Sequence, residues 1–113
     1  MTAEDFRNLA LSFPESVESS HVDHPDFRVR NKIFASLGPD ETWGMVKLTP
    51  DQQSAFVKTE PSVFKPFNGA WGKRGCTQVT LKLAKKTTVQ IALAMAWKNT
   101  APKKLGDELG DQF

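Results

Sequence analysis

A glycine-rich segment, residues 68–75, carries the side chains of this sequence best suited to chemistry: Trp71, Lys73 and Arg74. Lysine and arginine neutralise phosphates, and a tryptophan can stack on an exposed base. Together they predict a contact with nucleic acid. The sequence leaves a structural alternative open, in which Trp71 folds back over the end of a sheet and the two cations are simply hydrated, since large aromatic side chains are usually well buried.

Charge is distributed unevenly along the 113 residues. Residues 61–106 contain nine lysines and arginines and no aspartate or glutamate, whereas residues 1–60 contain six basic and ten acidic side chains. The net charge of +2 therefore hides a cationic segment. Such a segment usually indicates a polyanionic partner, most often nucleic acid. An acidic protein is the alternative partner.

Further cations flank the predicted elements, and each has a second interpretation. Lys47 alternates with apolar residues on a predicted strand, where its stem could equally cover apolar surface while its amine reaches water. Arg30 and Lys32 flank a predicted hairpin turn, where charged side chains are also common simply because the turn is exposed to solvent. Lys103 and Lys104 follow the last helix, where cations complement the helix dipole.

Four side chains are of types that bind metal ions: His21, Asp23, His24 and Asp26. On one continuous strand, successive residues point to opposite faces, so His21 and Asp23 would share one side and His24 would lie on the other. A metal ion needs converging ligands, which this arrangement would not supply. We therefore expect no metal ion and no other cofactor.

Catalysis has little support in the sequence. Cys76 is the only cysteine, which excludes an internal disulfide and a multi-cysteine zinc site. Neither histidine is near it in sequence, so a small buried thiol is the expectation. We see no pair of carboxylates placed for general acid and base catalysis. The sequence therefore predicts a binding protein and not an enzyme.

The helices that must position these side chains have clear start signals. Thr2 can cap a first helix with Asp5 at its third position, and Thr49 can cap a second helix with Gln52 reaching back. The prolines at 14 and 61 limit these two helices. Residues 88–100 carry a broad apolar stripe that includes Ile91 and Met95, which predicts a third and longest helix lying across a sheet.

The remaining runs are β-prone or irregular. Strands are predicted at residues 17–22, 27–30, 32–37, 42–48 and 76–83, with a tight turn at Asn31 and an irregular loop at 61–75. The order αββββαβα with antiparallel neighbours predicts an α+β two-layer sandwich. Its antiparallel sheet would have about five strands, with helices packed on one face.

Four pieces of the chain, residues 27–35, 46–53, 71–81 and 96–104, resemble the MmcQ/YjbR family. The resemblance covers nearly the whole domain. It implies a compact α+β fold similar to that of frataxin and CyaY, a double-wing arrangement, and DNA binding. Cys76 departs from the family pattern, because members often place an aromatic residue at that position.

The length predicts one domain, residues 1–106, followed by an acidic tail at 107–113. No apolar run approaches the roughly 18 to 20 residues that span a bilayer. The first residues also lack the basic start and apolar core of a signal peptide. We therefore expect a cytoplasmic monomer without a membrane segment.

These observations lead to a first hypothesis of a small protein that binds nucleic acid, with DNA as the expected partner, through one basic face. Binding would be mostly electrostatic and of low sequence specificity, because few side chains are suited to reading base edges. A second hypothesis is a protein-interaction or small-ligand module, whose last helix and loop form a groove for an acidic partner. The candidate binding residues are Trp71, Lys73, Arg74, Lys47, Arg30, Lys32, Lys103 and Lys104.

Overall fold

A computed structural model of the chain describes residues 1–105. The predicted acidic tail at 107–113 lies outside them. In chain order the elements are α1 (Ala3–Leu11), β1 (Ser16–His21), β2 (His24–Val29), β3 (Lys32–Leu37), β4 (Trp43–Lys47), α2 (Pro50–Thr59), β5 (Phe64–Pro66), α3 (Gly69–Lys73), β6 (Cys76–Thr80), a 3-10 turn (Leu81–Leu83) and α4 (Lys86–Thr100). No helix among the described residues is both long enough and apolar enough to cross a membrane.

The six strands form one sheet in the order β1-β2-β3-β4-β6-β5, and every neighbouring pair is antiparallel. Helices α1 and α4 pack against each other and on the sheet, where α4 contacts β3 and β4. The predicted α+β two-layer fold, with the first and last helices on one face, is confirmed. The sheet has one strand more than the five that the sequence indicated.

Two helices begin as predicted, with reciprocal capping bonds. The backbone N–H of Asp5 donates to Thr2 Oγ1 over 3.1 Å, and the N–H of Thr2 donates to the Asp5 carboxylate over 2.9 Å. Thr49 and Gln52 repeat the arrangement at 2.9 and 3.2 Å. Each box satisfies donors that a helix start would otherwise leave unpaired.

A β-bulge decides which residues of β3 face the helices. Phe27 pairs with Ala35 and Arg28 pairs with Ile33, so Phe34 is left over between the two pairs. Phe34 is fully buried, and its ring meets that of Phe13 edge-on at 6.5 Å, on the helix side of the sheet. The extra residue thus adds an aromatic ring to the core and turns Ile33 and Ser36 to the opposite face, as a bulge allows.

The region between α2 and β6 differs most from the prediction. Residues 61–75 were expected to be an irregular loop, but they contain the edge strand β5 and the short helix α3. The last predicted strand was also too long, because β6 ends at Thr80 and a 3-10 turn follows. The chain leaves the sheet there, so Leu83 is exposed.

The apolar stripe of α4 is narrower than predicted. Val89, Leu93 and Trp97 are fully buried against the sheet, in agreement with the expected helix. Ile91, which was assigned to the same stripe, is 53% exposed on the outer side. Helix α4 is therefore amphipathic, and only one of its sides belongs to the core.

Candidate functional site

The sheet face opposite α1 and α4 is uncovered and carries a groove of about 360 Å³. Its floor consists of side chains from β3, β4 and β6, and the β1–β2 hairpin and the segment around α3 form its sides. The lining side chains are Ile33, Trp43, Met45, Phe67 and Trp71, which are apolar or aromatic, and His21, His24, Ser36, Lys47 and Cys76, which are polar or ionisable.

Strand β4 supplies the floor of the groove through alternation. Trp43, Met45 and Lys47 are half-buried on the open face, whereas Gly44 and Val46 between them are buried toward the helices. The sequence left two roles open for Lys47, binding an anion or covering apolar surface with its stem. The structure places Lys47 on the open face, in the groove and paired across strands with Cys76.

The aromatic wall of the groove is held by close packing. The Trp43 and Phe67 rings meet edge-on, with 5.6 Å between their centroids. A Cβ added to Gly38 would lie 2.3 Å from the Trp43 indole, so the indole rests directly on that glycine. Trp43 therefore has little freedom to leave the wall.

Helix α3 presents Trp71 at the mouth of the groove. A Cβ added to Gly72 would lie 1.6 Å from the Phe67 carbonyl oxygen, so the helix backbone sits directly against the preceding segment. Trp71 on the outer side is 61% exposed, and the Arg74 guanidinium carbon lies 5.8 Å from its ring centroid. The alternative in which Trp71 is packed over the end of the sheet is therefore wrong.

Most of the candidate cations are unpaired within residues 1–105. The salt bridges formed there involve none of Lys32, Lys47, Lys73, Arg74, Lys103 and Lys104. Arg30 differs, because it pairs with Glu15 through two hydrogen bonds of 2.5 and 3.0 Å. Its charge is thus partly compensated, and its role in binding stays a prediction.

These cations lie toward one end of the sheet. The β2–β3 turn, which carries Arg30 and Lys32, is at the same end as Lys47 and the start of β6. The Asn99 side chain donates a hydrogen bond of 3.1 Å to the Lys47 carbonyl, so the last turn of α4 lies at the same end of the sheet. Lys103 and Lys104 follow that turn in the chain.

The cationic segment as a whole does not converge. Lys85 and Lys86 stand at the start of the 15-residue helix α4, about 20 Å from its last turn at 1.5 Å rise per residue. The Lys86 amine lies 3.4 Å from the Asp5 carboxylate. Only some of the nine cations of residues 61–106 therefore lie in the candidate basic region, where Lys32 and Lys47 join them.

The two histidines lie together, which corrects the prediction that they point to opposite faces. Val22 and Asp23 have φ of 46° and 65° and form a two-residue turn, so His21 pairs with His24 across a hairpin. Their ring centroids are 4.3 Å apart at one end of the groove. The sequence gives little signal for this turn, because Val22 is β-branched and such residues are rare at positive φ.

Asp26 anchors this histidine pair. Its fully buried carboxylate accepts hydrogen bonds of 2.8 and 3.1 Å from Arg28 and lies 2.6 Å from Nδ1 of His21. Because a carboxylate can only accept, the His21 Nδ1 carries the proton in this bond. Burial raises the pKa of the Asp26 carboxyl, but the bonds from Arg28 and His21 outweigh it, so that the pKa lies below its ordinary value.

A model of the YjbR family matches residues 11–99. The chain belongs to the YjbR family. The resemblance found in the sequence is thereby confirmed. The chain is also similar to the crystal structure of Deinococcus radiodurans protein DR2400, which is described by a DUF419 domain. The two share 18% sequence identity and superpose with a TM-score of 0.74, over 87% of this chain and 77% of that chain. That likeness supports the fold. No curated protein matches the chain.

The only cysteine of this YjbR-family protein lines the groove. Cys76 is buried, as the sequence predicted. Burial raises the pKa of its thiol, and the charges of Lys47 and Arg74 lower it only in part. Among residues 1–105, no three histidine, cysteine, aspartate or glutamate side chains come together in a way that could hold a metal ion.

Proposed function

We propose that this YjbR-family protein binds nucleic acid through the open face of its sheet and the basic end beside it. The observation that carries the proposal is the exposed Trp71 ring with Arg74 above it, next to an uncovered groove and to cations without carboxylate partners in residues 1–105. Cations with free charge neutralise phosphates, and an exposed indole is a stacking surface.

In this proposal, most of the affinity is electrostatic. Lys73 and Arg74 contact phosphates at the mouth of the groove, and Lys47 supplies a cation inside it. Lys32, Lys103 and Lys104 extend the contact along the same end, and Arg30 joins only where phosphate competes with Glu15. Phosphate contacts position a protein without reading sequence, so we expect low sequence specificity.

A salt series tests the proposal. The logarithm of the affinity for duplex DNA should fall linearly with the logarithm of salt concentration, by about 0.9 per phosphate neutralised, so four to six contacts give a slope of roughly −4 to −5. Replacing Lys73 and Arg74 by alanine should flatten this slope by about two units. The melting temperature should stay nearly unchanged, because exposed charges contribute little to stability.

The matched control replaces Lys82 and Lys85 by alanine, two exposed cations in the 3-10 turn and at the start of α4, away from the basic end. It changes the net charge by the same amount, so a general effect of charge would flatten the slope equally in both variants. An affinity that does not depend on salt, or equal effects of the two double variants, would contradict the proposal.

A protein partner is the second candidate, and the outer side of α4 favours it. A second depression there is lined by Ile91, Ala94 and Met95 together with Thr87, Gln90 and Lys98. Ile91 is more than half exposed, and so is Leu83 in the 3-10 turn before α4. An acidic protein with an apolar contact surface suits this side. Loss of its binding in an Ile91→Asp variant that keeps its affinity for DNA would separate the two candidates.

A further inference from the structure

The groove on the open face has the size and the lining of a pocket for a flat ring. Its volume of about 360 Å³ is at the lower end of the range of about 300–1,000 Å³ that is common for small-molecule sites. Trp43 and Phe67 form one wall, Met45 lies on the floor, and Trp71 stands at the mouth. Aromatic walls of this kind receive the π-face of any base.

The charge of the groove favours an anionic occupant. None of its lining residues among those described is acidic, and Lys47 lies inside it. A further cation joins from the edge strand: Lys65 pairs with Gln78, which pairs with Met45, so Lys65 shares the open face. Arg74 completes the set at the mouth, where it lies over Trp71. A ring that carries phosphates on either side fits this distribution.

One polar atom at the histidine end of the groove lacks a partner. Nδ1 of His24 is buried without a hydrogen bond, and the other buried side-chain nitrogen and oxygen atoms of residues 1–105 all have one. A buried polar group left without a partner is costly, and in native structures such a group usually has a specific explanation. Because His24 also lines the groove, a turn of its ring would let the polar edge of a bound base supply the missing hydrogen bond, as donor or as acceptor according to the tautomer of His24.

We propose that the groove takes one unstacked base of a single-stranded nucleic acid, with the adjoining phosphates on Lys65 and Arg74 and with Lys47 inside the groove. This inference rests on the proposed nucleic-acid function and makes it more specific. In a duplex every base is stacked and paired, so none can enter the groove unless it leaves the helix, which costs a few kcal/mol. The protein therefore prefers a single strand to the duplex of the same sequence.

The test compares one fluorescently labelled oligonucleotide, single-stranded and annealed to its complement, by anisotropy at one salt concentration. We expect the single strand to bind about ten-fold more tightly, because the groove adds the stacking of one base to the phosphate contacts. Trp71→Ala should remove most of that preference, because it weakens single-strand binding more than duplex binding. Ile91→Ala, an exposed apolar truncation on the outer side of α4, is the matched control and should change neither.

Tryptophan fluorescence provides a second measurement that a purely electrostatic contact would not change. A base stacked at the groove should quench the indole emission of Trp71 and Trp43, and the quenching should shrink in Trp71→Ala. His24→Ala should weaken single-strand binding without changing the slope with salt, since it removes a hydrogen bond and no phosphate contact.

The outcomes separate this inference from the proposed function. If neither form of the oligonucleotide binds, both fail. If both forms bind equally, and the Lys73/Arg74 variant loses affinity while Trp71→Ala does not, the nucleic-acid function stands and the base pocket is overturned. If a mononucleotide competes as well as the oligonucleotide at equal nucleotide concentration, the strand is not the ligand, and the pocket proposal is likewise overturned.

Discussion

Arg74 lies over the Trp71 ring, with 5.8 Å between its guanidinium carbon and the ring centroid. An exposed cation–π contact contributes about 0.5 to 1 kcal/mol, which is small beside the energy that a buried indole provides. Folding therefore gains little from Trp71, although it is one of only three tryptophans in the chain. A large aromatic side chain that is exposed next to unpaired cations suits binding better than architecture.

Trp97→Ala should therefore cost much more stability than Trp71→Ala, whereas Trp71→Ala should cost more binding. Trp97 is fully buried, its ring stacks on Phe13 at 6.4 Å, and its indole N–H donates to the Pro14 carbonyl over 3.0 Å. Its truncation should lower the free energy of unfolding by about 3 to 5 kcal/mol, whereas that of Trp71 should cost about 1 kcal/mol or less. Urea denaturation followed by circular dichroism measures both, and comparable losses would assign Trp71 to the core.

Local sequence signals predicted those parts of the fold that local interactions determine. Both capping boxes need only residues within one helical turn, and strand β3 has the bounds that its β-prone run predicted. The turn at Arg30 and Asn31, with φ of 51° and 67°, also follows from the tolerance of asparagine for this conformation.

Distant contacts determine the parts that were missed. Strand β5 is three residues long and is held by pairing with β6, and α3 forms where Gly72 fits against the Phe67 carbonyl. Neither leaves a periodic pattern in the sequence. The candidate site was likewise predicted only in part. Trp71, Lys73 and Arg74 could be grouped because they are close in sequence, but their position beside Lys47 depends on the order of the strands in the sheet.

Helix α3 should tolerate an added methyl group at one glycine and not at another. In Gly72→Ala the new Cβ would meet the Phe67 carbonyl oxygen, so the helix must shift, and we expect a loss of about 3 kcal/mol together with weaker single-strand binding. In Gly69→Ala nothing lies within 4 Å, and only the left-handed φ of 72° is unfavourable, at about 1 kcal/mol. Thermal and urea unfolding of the two variants would show the difference, and equal losses would argue against close packing at Gly72.

The Cys76 thiol should react slowly in the folded protein. Burial raises its pKa, so the thiolate fraction is small at neutral pH, and the side chain is hardly accessible. Reaction with a chromogenic disulfide reagent should be at least about ten-fold slower in the folded protein than after denaturation. A saturating single-stranded oligonucleotide should slow it further, because Cys76 lines the groove. Fast labelling of the folded protein would show that the groove opens more than the structure indicates.

Asp26→Asn should destabilise the protein at neutral pH and weaken its response to acid. The pKa of Asp26 is lower in the folded state than in the unfolded chain, so the stabilisation is complete above the unfolded value of about 3.9. It is lost as the pH falls through the folded-state value. Hydrogen bonds to charged groups contribute about 1.5 to 3 kcal/mol, which is the loss expected at neutral pH.

Urea unfolding at a series of pH values from neutral to acid measures this effect. The variant should lose less stability on acidification than the wild type, although other carboxyls with lowered pKa, such as those of Asp5 and Asp40, still contribute to the acid response. Glu15→Gln is the control, because it removes an exposed carboxylate that pairs with Arg30, and exposed pairs contribute little. If the acid response of Asp26→Asn equals that of the wild type, the buried carboxylate does not anchor the hairpin that carries His21 and His24.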